Sequence, residues 1–167
     1  MNEMKKGYIF LLIGIVLLTL TGCETKEEKE TPVKKGRVHE HCTRVGIIDN
    51  NSSADLSYEI YYTGEVLNRI ESTEKVTSTS QETLDTYENA YRGIHEHYKG
   101  LKYYETNVVR TNDTVTSTIV IDYDYIDIDQ LISIEGESNN VFENKVPKVA
   151  KWKELADRVG TKCTEVA

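Results

Sequence analysis

A chain of 167 residues with a formal charge of −8 has room for one domain and little room for a second. Its 20 lysine and arginine residues form no long basic block. A nucleic-acid-binding protein is therefore disfavoured, because the neutralisation of phosphates needs a clustered basic surface.

The amino terminus has the pattern of an export signal. Lys5 and Lys6 precede an apolar run over 8–20, which is too short to cross a membrane because a spanning helix needs about 20 apolar residues. The run ends in LTGC, which resembles the bacterial lipobox, where the cysteine is diacylated and the chain is cut just before it. We expect residues 1–22 to be a cleaved signal peptide and Cys23 to carry lipid. A short uncleaved anchor with an incidental cysteine is the alternative.

Lipidation of Cys23 predicts where in the cell the protein is located. The protein is expected on the extracytoplasmic face of a bacterial cell membrane, held by its lipid anchor and handled in transit by lipoprotein-processing enzymes. Residues 23–37 are highly charged and include Pro32 and Gly36, which predicts a disordered tether. A single domain is expected over 38–167.

Two cysteines remain when Cys23 is assigned to lipid. Cys42 lies near the start of the domain and Cys163 near its end. Disulfides persist outside the cytosol, and an even remainder favours one bridge between them. Two inert buried thiols are the alternative. A catalytic thiol beside His41 is disfavoured, because neighbouring residues in a strand point to opposite faces.

The first half of the domain predicts a hairpin and a helix. DLSYEIYYTGEVLNRIEST predicts two strands around a turn at Gly64. Thr79 and Glu82 have the spacing of a helix capping box, and Gly100 is placed to end that helix. Its tyrosine-rich stripe is interpreted as a core face, with a stacking platform for a ligand as the alternative. The stripe recurs at helical spacing: Leu84, Tyr87, Tyr91, Ile94 and Tyr98.

The second half predicts another hairpin, two helices and a last strand. The hairpin turns at 112–113, and its return strand is expected to bury one face and leave the other solvated. A short helix follows with Asp127 near its start. A further helix is expected between Pro147 and Gly160, and TKCTEV reads as the last strand. The solvated face of the return strand is expected to hold Thr114, Thr116, Thr118, Asp122 and Asp124. The apolar stripe of the last helix is expected to hold Val149, Trp152, Leu155, Ala156 and Val159.

These elements predict the fold class. Strands punctuated by helices, without strict alternation, favour an α+β domain with a largely antiparallel β-sheet and two main helices packed on one face. The segments SYEIYYTGEVLNRIEST, YKGLKYYE and STIVIDYDYIDIDQL together resemble the YehR-like lipoprotein family, over about 43–166. Its members are small bacterial lipoproteins with a signal, a lipobox cysteine and one domain of unknown function. The resemblance implies a lipid-anchored α+β domain and no catalytic or ligand-binding residue.

All four histidines occur in two HEH tripeptides, at 39–41 and 95–97. His39 and His41 would point the same way on a strand, as a strand-borne zinc pair requires. The second copy lies on a predicted helix, where residues two apart diverge by about 200°. Solvated polar side chains are the favoured explanation of both copies, and neither is an HExxH motif.

Acidic residues cluster at Asp122, Asp124, Asp127 and Asp129. Carboxylates two apart on a strand could coordinate calcium, so Asp122 and Asp124 join His39 and His41 as candidate metal ligands. A wet strand face that runs into a helix start explains the same residues.

No nucleophile motif, glycine-rich phosphate loop or CxxC pair is present. We therefore expect no cofactor and a non-enzymatic module that binds a small ligand, a peptide or an envelope protein. A zinc- or calcium-binding lipoprotein is the alternative, and a hydrolase without a recognisable motif is less favoured.

Overall fold

The computed structural model describes residues 36–135 and 141–166, and Cys23 lies outside them. The described chain forms eight strands and three helices. The strands are β1 (Arg37–Asp49), β2 (Ser52–Thr63), β3 (Val66–Ser78), β4 (Tyr104–Arg110), β5 (Thr114–Asp122), β6 (Phe142–Glu143), β7 (Val146–Pro147) and β8 (Lys162–Glu165). The helices are α1 (Gln81–His97), α2 (Ile128–Glu135) and α3 (Val149–Arg158).

Six strands form one antiparallel sheet in the order β4-β5-β3-β2-β1-β8. The first three strands are joined by tight turns, and β4 and β5 form a second hairpin whose β5 pairs with β3. The small strands β6 and β7 pair separately. The predicted α+β class and the antiparallel sheet are confirmed. The described residues contain three helices, of which the predicted short one is α2.

The β2–β3 hairpin turns where the sequence predicted. Gly64 has φ +59° there, a conformation that glycine adopts without steric cost. Beyond the turn, Asn68 is an extra residue between the pairs Tyr62–Leu67 and Tyr61–Arg69, which makes it a β-bulge. Its side chain donates to Asp124 Oδ1 at 3.0 Å, and its carbonyl accepts from the Tyr123 amide at 2.8 Å. The bulge therefore fastens the turn that follows β5.

Helix α1 begins one residue later than a Thr79 capping box would place it. The N-cap is Ser80, whose hydroxyl accepts from the Thr83 amide at 3.2 Å. Leu84 and Tyr91 are fully buried on its core face, so the tyrosine stripe packs on the sheet. The ligand-stacking alternative is not needed to explain it.

The two shorter helices close the same side of the sheet. Asp127 accepts from the Gln130 amide at 3.0 Å and so caps α2. Trp152 of α3 packs edge-on against Tyr58 of β2, with ring centroids 5.5 Å apart. Val159, predicted for the core stripe of this helix, is 40% exposed because it lies at the C-cap.

Strand β5 is buried on both faces over 115–121, so the predicted solvated face is wrong for Thr116 and Thr118, whereas Thr114, Asp122 and Asp124 are partly exposed. Thr116, Thr118 and Val120 are less than a tenth exposed although no described helix covers them. They lie between longer side chains of β3 and β4, such as Lys75 and Glu105, because β5 is an interior strand. The longer side chains on both neighbouring strands, rather than the local pattern, explain this burial.

The Cys42–Cys163 bridge is confirmed. The two residues are register partners of β1 and β8, so the short last strand is fixed covalently to the edge of the sheet. Cys42 is fully buried. The bridge closes a loop with a sequence separation of 121 residues, and long loops lose the most unfolded-state entropy when they are closed.

The bridge predicts a stability difference. Cys42→Ala combined with Cys163→Ala is expected to lower the free energy of unfolding by about 2 to 5 kcal/mol, because the open unfolded chain regains conformational entropy. Urea unfolding followed by tryptophan fluorescence measures this. Reductant should shift the wild-type midpoint and leave the double variant unchanged; equal midpoints for the two proteins would contradict the prediction.

Candidate functional site

The two faces of the sheet differ. One face carries the core and is packed by the three helices. The other, here called the open face, is covered by no helix within 36–135 and 141–166 and leaves most of its side chains partly or fully exposed. Register assigns to the open face alternate residues over His39–Ile47, Ser53–Tyr61, Arg69–Thr77, Glu105–Val109, Thr114–Asp122 and Lys162–Thr164.

Hydroxyl side chains line the middle of the open face. Thr43, Ser57, Thr73 and Thr118 are successive register partners across four strands. Adjacent strands lie about 4.8 Å apart, so Thr43, Ser57 and Thr73 offer regularly spaced donors and acceptors, whereas Thr118 is buried and donates to the Asn107 carbonyl at 3.4 Å. Such a row suits a ligand or protein that makes many weak polar contacts.

His39, Glu59 and His41 form a cluster at one end of the open face. His39 Nε2 donates to Glu59 Oε2 at 2.7 Å, and His41 Nδ1 donates to Glu59 Oε1 at 2.6 Å. His39 also stacks on Tyr61 with ring centroids 4.4 Å apart, and Arg37 lies over the same tyrosine at 4.8 Å. The first HEH tripeptide is therefore organised around a carboxylate from the neighbouring strand.

The other metal candidates lie elsewhere. Asp122 is on the open face in β5, separated from β1 by two strands and so by roughly 14 Å. Burial raises the pKa of Asp122, with Arg69 opposing that shift. Asp124 is past the end of β5, where its amide donates to Asp122 Oδ1 at 3.1 Å. These two carboxylates organise a turn, and the structure does not bring them to the histidines.

The second HEH tripeptide lies on the opposite side of the sheet. His95 Nε2 is 3.1 Å from Ser117 Oγ, on the face that the helices pack against. Burial lowers the pKa of His95, and His97 is exposed at the end of α1. The sheet therefore separates the two copies, and a site that joins them is excluded.

A cleft of about 320 Å³ lies between α3 and β8, beside the disulfide. At its inner edge Glu40 Oε1 accepts from Lys153 Nζ at 2.6 Å and from the Tyr62 hydroxyl at 2.7 Å. Burial acts to raise the pKa of Glu40, but the bonds from Lys153 and Tyr62 outweigh it and hold that pKa low. Glu40, Cys42 and Cys163 have ligand atoms within 4.8 Å of one another. The two cysteines cannot bind a metal as thiolates, because both sulfurs are in the disulfide.

A second buried carboxylate lies in the core. Glu74 of β3 is 4% exposed, and burial raises its pKa to about 7. Tyr91, through a hydrogen bond, and Arg44, through its charge, oppose this rise in the pKa of Glu74. Glu74 is enclosed on the α1 side of the sheet, so the consequence of its raised pKa is for stability.

Val45 and Ile47 form an apolar stretch at the far end of β1 on the open face. They are 74% and 87% exposed. Strand β8 pairs only with residues 40–43 of β1, so within the described chain this stretch is a free sheet edge. It adds an apolar border to a largely polar face.

Sequence reasoning found the two histidines and missed their partner. Glu59 belongs to an alternating strand, SYEIYY, where nothing distinguishes it from any solvent-facing acid. The pairing of His41 with Glu59 becomes visible only when the β1–β2 register is known. The Glu40–Lys153 pair joins residues 113 positions apart, and no local signal marks it.

No helix in the described part of the chain is long and apolar enough to cross a membrane. No protein-family model and no curated protein matches the chain. The NMR structure of E. coli YehR is similar, with a TM-score of 0.51 and 17% identity over 77% of this chain and 93% of that one. The NMR structure of a protein from Streptococcus pneumoniae TIGR4 has a TM-score of 0.44 and 17% identity, covering 96% and 100%. The first likeness shows a YehR-like fold, as the sequence resemblance predicted; the lipoprotein part of that resemblance stays a prediction.

Glu74 predicts how stability depends on pH. The carboxyl has an ordinary pKa of 4.5 and a folded-state pKa of about 7, so the folded protein holds a proton that the unfolded chain releases between these values. Stability is expected to fall as pH rises from 4.5 to 7 and to level off above. Burial also raises the pKa of Glu135 to about 7, so Glu74→Gln should remove only the Glu74 part of this slope and stabilise the protein at pH 8 by at most about 3 kcal/mol.

Urea unfolding at pH 5 and pH 8 gives the change in the free energy of unfolding between these two pH values. The contribution of Glu74 is the difference in that change between wild type and Glu74→Gln. Glu105→Gln, at an exposed position of β4, is the matched control and should leave the slope unchanged. An identical pH dependence in wild type and Glu74→Gln would show that Glu74 is ionised throughout.

Proposed function

We propose that this chain is a lipid-anchored, extracytoplasmic binding module without enzymatic activity, and that the open face contacts its ligand or partner. The observation that carries the binding role is that one whole face of the six-stranded sheet is left without a helix in the described chain and is lined by hydroxyl, imidazole and carboxylate groups. The occupant is a small envelope ligand, a peptide or an envelope protein.

The anchor is supported by the sequence. LTGC follows a positively charged segment and a short apolar run, and Cys23 is then the first residue of the mature chain. Residues 24–36 separate it from the first residue of β1, Arg37. A charged segment of this length holds a domain away from the bilayer while leaving it free to turn.

The disulfide supports the proposed compartment. Cys42 and Cys163 are joined in the folded domain, and bridges of this kind persist in oxidising surroundings such as the outer side of the cytoplasmic membrane. The bridge also leaves Cys23 as the one cysteine outside it, which is the residue that the lipobox assigns to lipid.

Lipidation predicts a labelling result. When the gene is expressed in a bacterial host fed a radioactive fatty acid, the wild-type chain should become labelled and fractionate with membranes. Cys23→Ser should lose both properties, because no thiol remains at the modification site. The Cys42→Ala, Cys163→Ala double variant is the matched control and should keep the label; label retained by Cys23→Ser would refute the anchor.

The binding role predicts where partners crosslink. A photo-reactive amino acid placed at Thr43 or Ser57 on the open face should give crosslinked adducts in intact cells. The same amino acid at Asn89, on the exposed side of α1, should give none, because that side carries no proposed contact. Adducts only from Asn89, or from neither side, would overturn the assignment of the open face.

A further inference from the structure

The His39–Glu59–His41 cluster has the layout of a metal site built on two strands. The histidines are two residues apart on β1 and so point to the same face, about 7 Å apart along the strand. Glu59 is the register partner of His41 on β2. Three groups that can each give one ligand atom therefore converge from two rigid strands rather than from loops.

We propose that His39, His41 and Glu59 bind one divalent transition-metal ion of the zinc type. Imidazole nitrogens and a carboxylate oxygen are common zinc ligands, and two histidines with one glutamate form a known three-ligand set. Calcium does not suit this set, because it takes six to eight oxygen ligands and the cluster offers one carboxylate.

The contacts of the two histidines with Glu59 are shorter than those that a bound ion needs. Zinc–nitrogen and zinc–oxygen bonds of about 2.0 to 2.2 Å in a tetrahedron place neighbouring ligand atoms roughly 3.3 Å apart. The two nitrogen–oxygen distances to Glu59 are 2.7 and 2.6 Å. The three ligand atoms do not yet all lie within 4.8 Å of one another. Ion binding therefore requires each imidazole to carry its proton on its other ring nitrogen and the two rings to turn toward each other about their side-chain bonds.

Neighbouring groups orient the ligands without blocking the site. Tyr61 stacks on the His39 ring, which limits the rotation of that ring. The nearby cation Arg69 is paired with Glu71 at 2.7 Å, and Glu71 is the register partner of Glu59. This pairing neutralises the charge of Arg69, and Arg37, the other nearby cation, lies over the Tyr61 ring at 4.8 Å.

The fourth ligand position faces solvent. The side chains of His39, His41 and Glu59 are 30%, 42% and 35% exposed, so the cluster lies at the surface of the open face. Three protein ligands with one open position can accept a water molecule or a donor atom from a partner. This inference deepens the proposed binding role, because it gives the open face an ion through which a ligand can attach.

Zinc titration of the full-length chain tests the site. The protein is purified in detergent, freed of metal with a chelator, and titrated with zinc chloride by calorimetry; cobalt then replaces zinc so that the visible spectrum reports the ligand geometry. We expect one ion per chain and a tetrahedral cobalt spectrum. His41→Ala and Glu59→Gln should each weaken zinc binding by at least about tenfold.

The second HEH tripeptide supplies the matched control. His97→Ala removes an exposed histidine with the same local sequence, and it should leave zinc affinity unchanged. Glu59→Gln keeps the size of the side chain and one oxygen that can accept from an imidazole, so it tests the ligand charge in a chain that still folds, which circular dichroism checks.

No saturable zinc uptake, or equal affinity in the wild type and the Glu59→Gln and His41→Ala variants, would overturn the metal site. The labelling and crosslinking experiments use no added metal. A failed zinc titration with successful crosslinking would therefore remove the ion and leave the proposed binding face, whereas zinc binding without crosslinks or lipid would leave the site and remove the proposed function.

Discussion

The pairing of β1 between β2 and β8 decides what each face of the sheet presents, and the Cys42–Cys163 bridge fastens that pairing at the edge. Side chains alternate along a strand, so a slip of one residue would exchange the faces. His39 and His41 would then lie under the helices, and Glu40 would lie in solvent. The disulfide thus helps to keep the histidine cluster on the open face and the Glu40–Lys153 pair on the face that the helices cover.

Local sequence patterns predicted much of the fold. The Gly64 turn, the core stripe of α1 and the pairing of the two domain cysteines follow from turn chemistry, helical periodicity and cysteine count. The second buried face of β5 could not be predicted, because Thr116 and Thr118 read as solvent-facing residues in any isolated strand. Their burial comes from flanking strands, and sheet order depends on contacts far apart in sequence. The N-cap of α1 is Ser80 rather than the predicted Thr79. The two residues could not be distinguished from sequence, since both serine and threonine are good caps.

The repeated HEH tripeptide separates what local sequence determines from what it leaves open. On β1 the period of two aims both histidines at Glu59, whereas on α1 the period of 3.6 sends His95 toward Ser117 and His97 into solvent. The sequence predicted this divergence because it predicted the helix. It could not supply Glu59, since a cross-strand partner is fixed by the turn between the strands and by the register that follows from it.

The position of the bridge has a consequence for proteolysis. It joins the first strand of the sheet to the last, so nearly every peptide bond of the domain lies inside the loop that it closes. A single cut by a protease at an exposed loop between residues 42 and 163 leaves two fragments that are still covalently joined. The nicked domain therefore keeps its connection to the amino-terminal segment, and release of either fragment requires a second cut or a reductant.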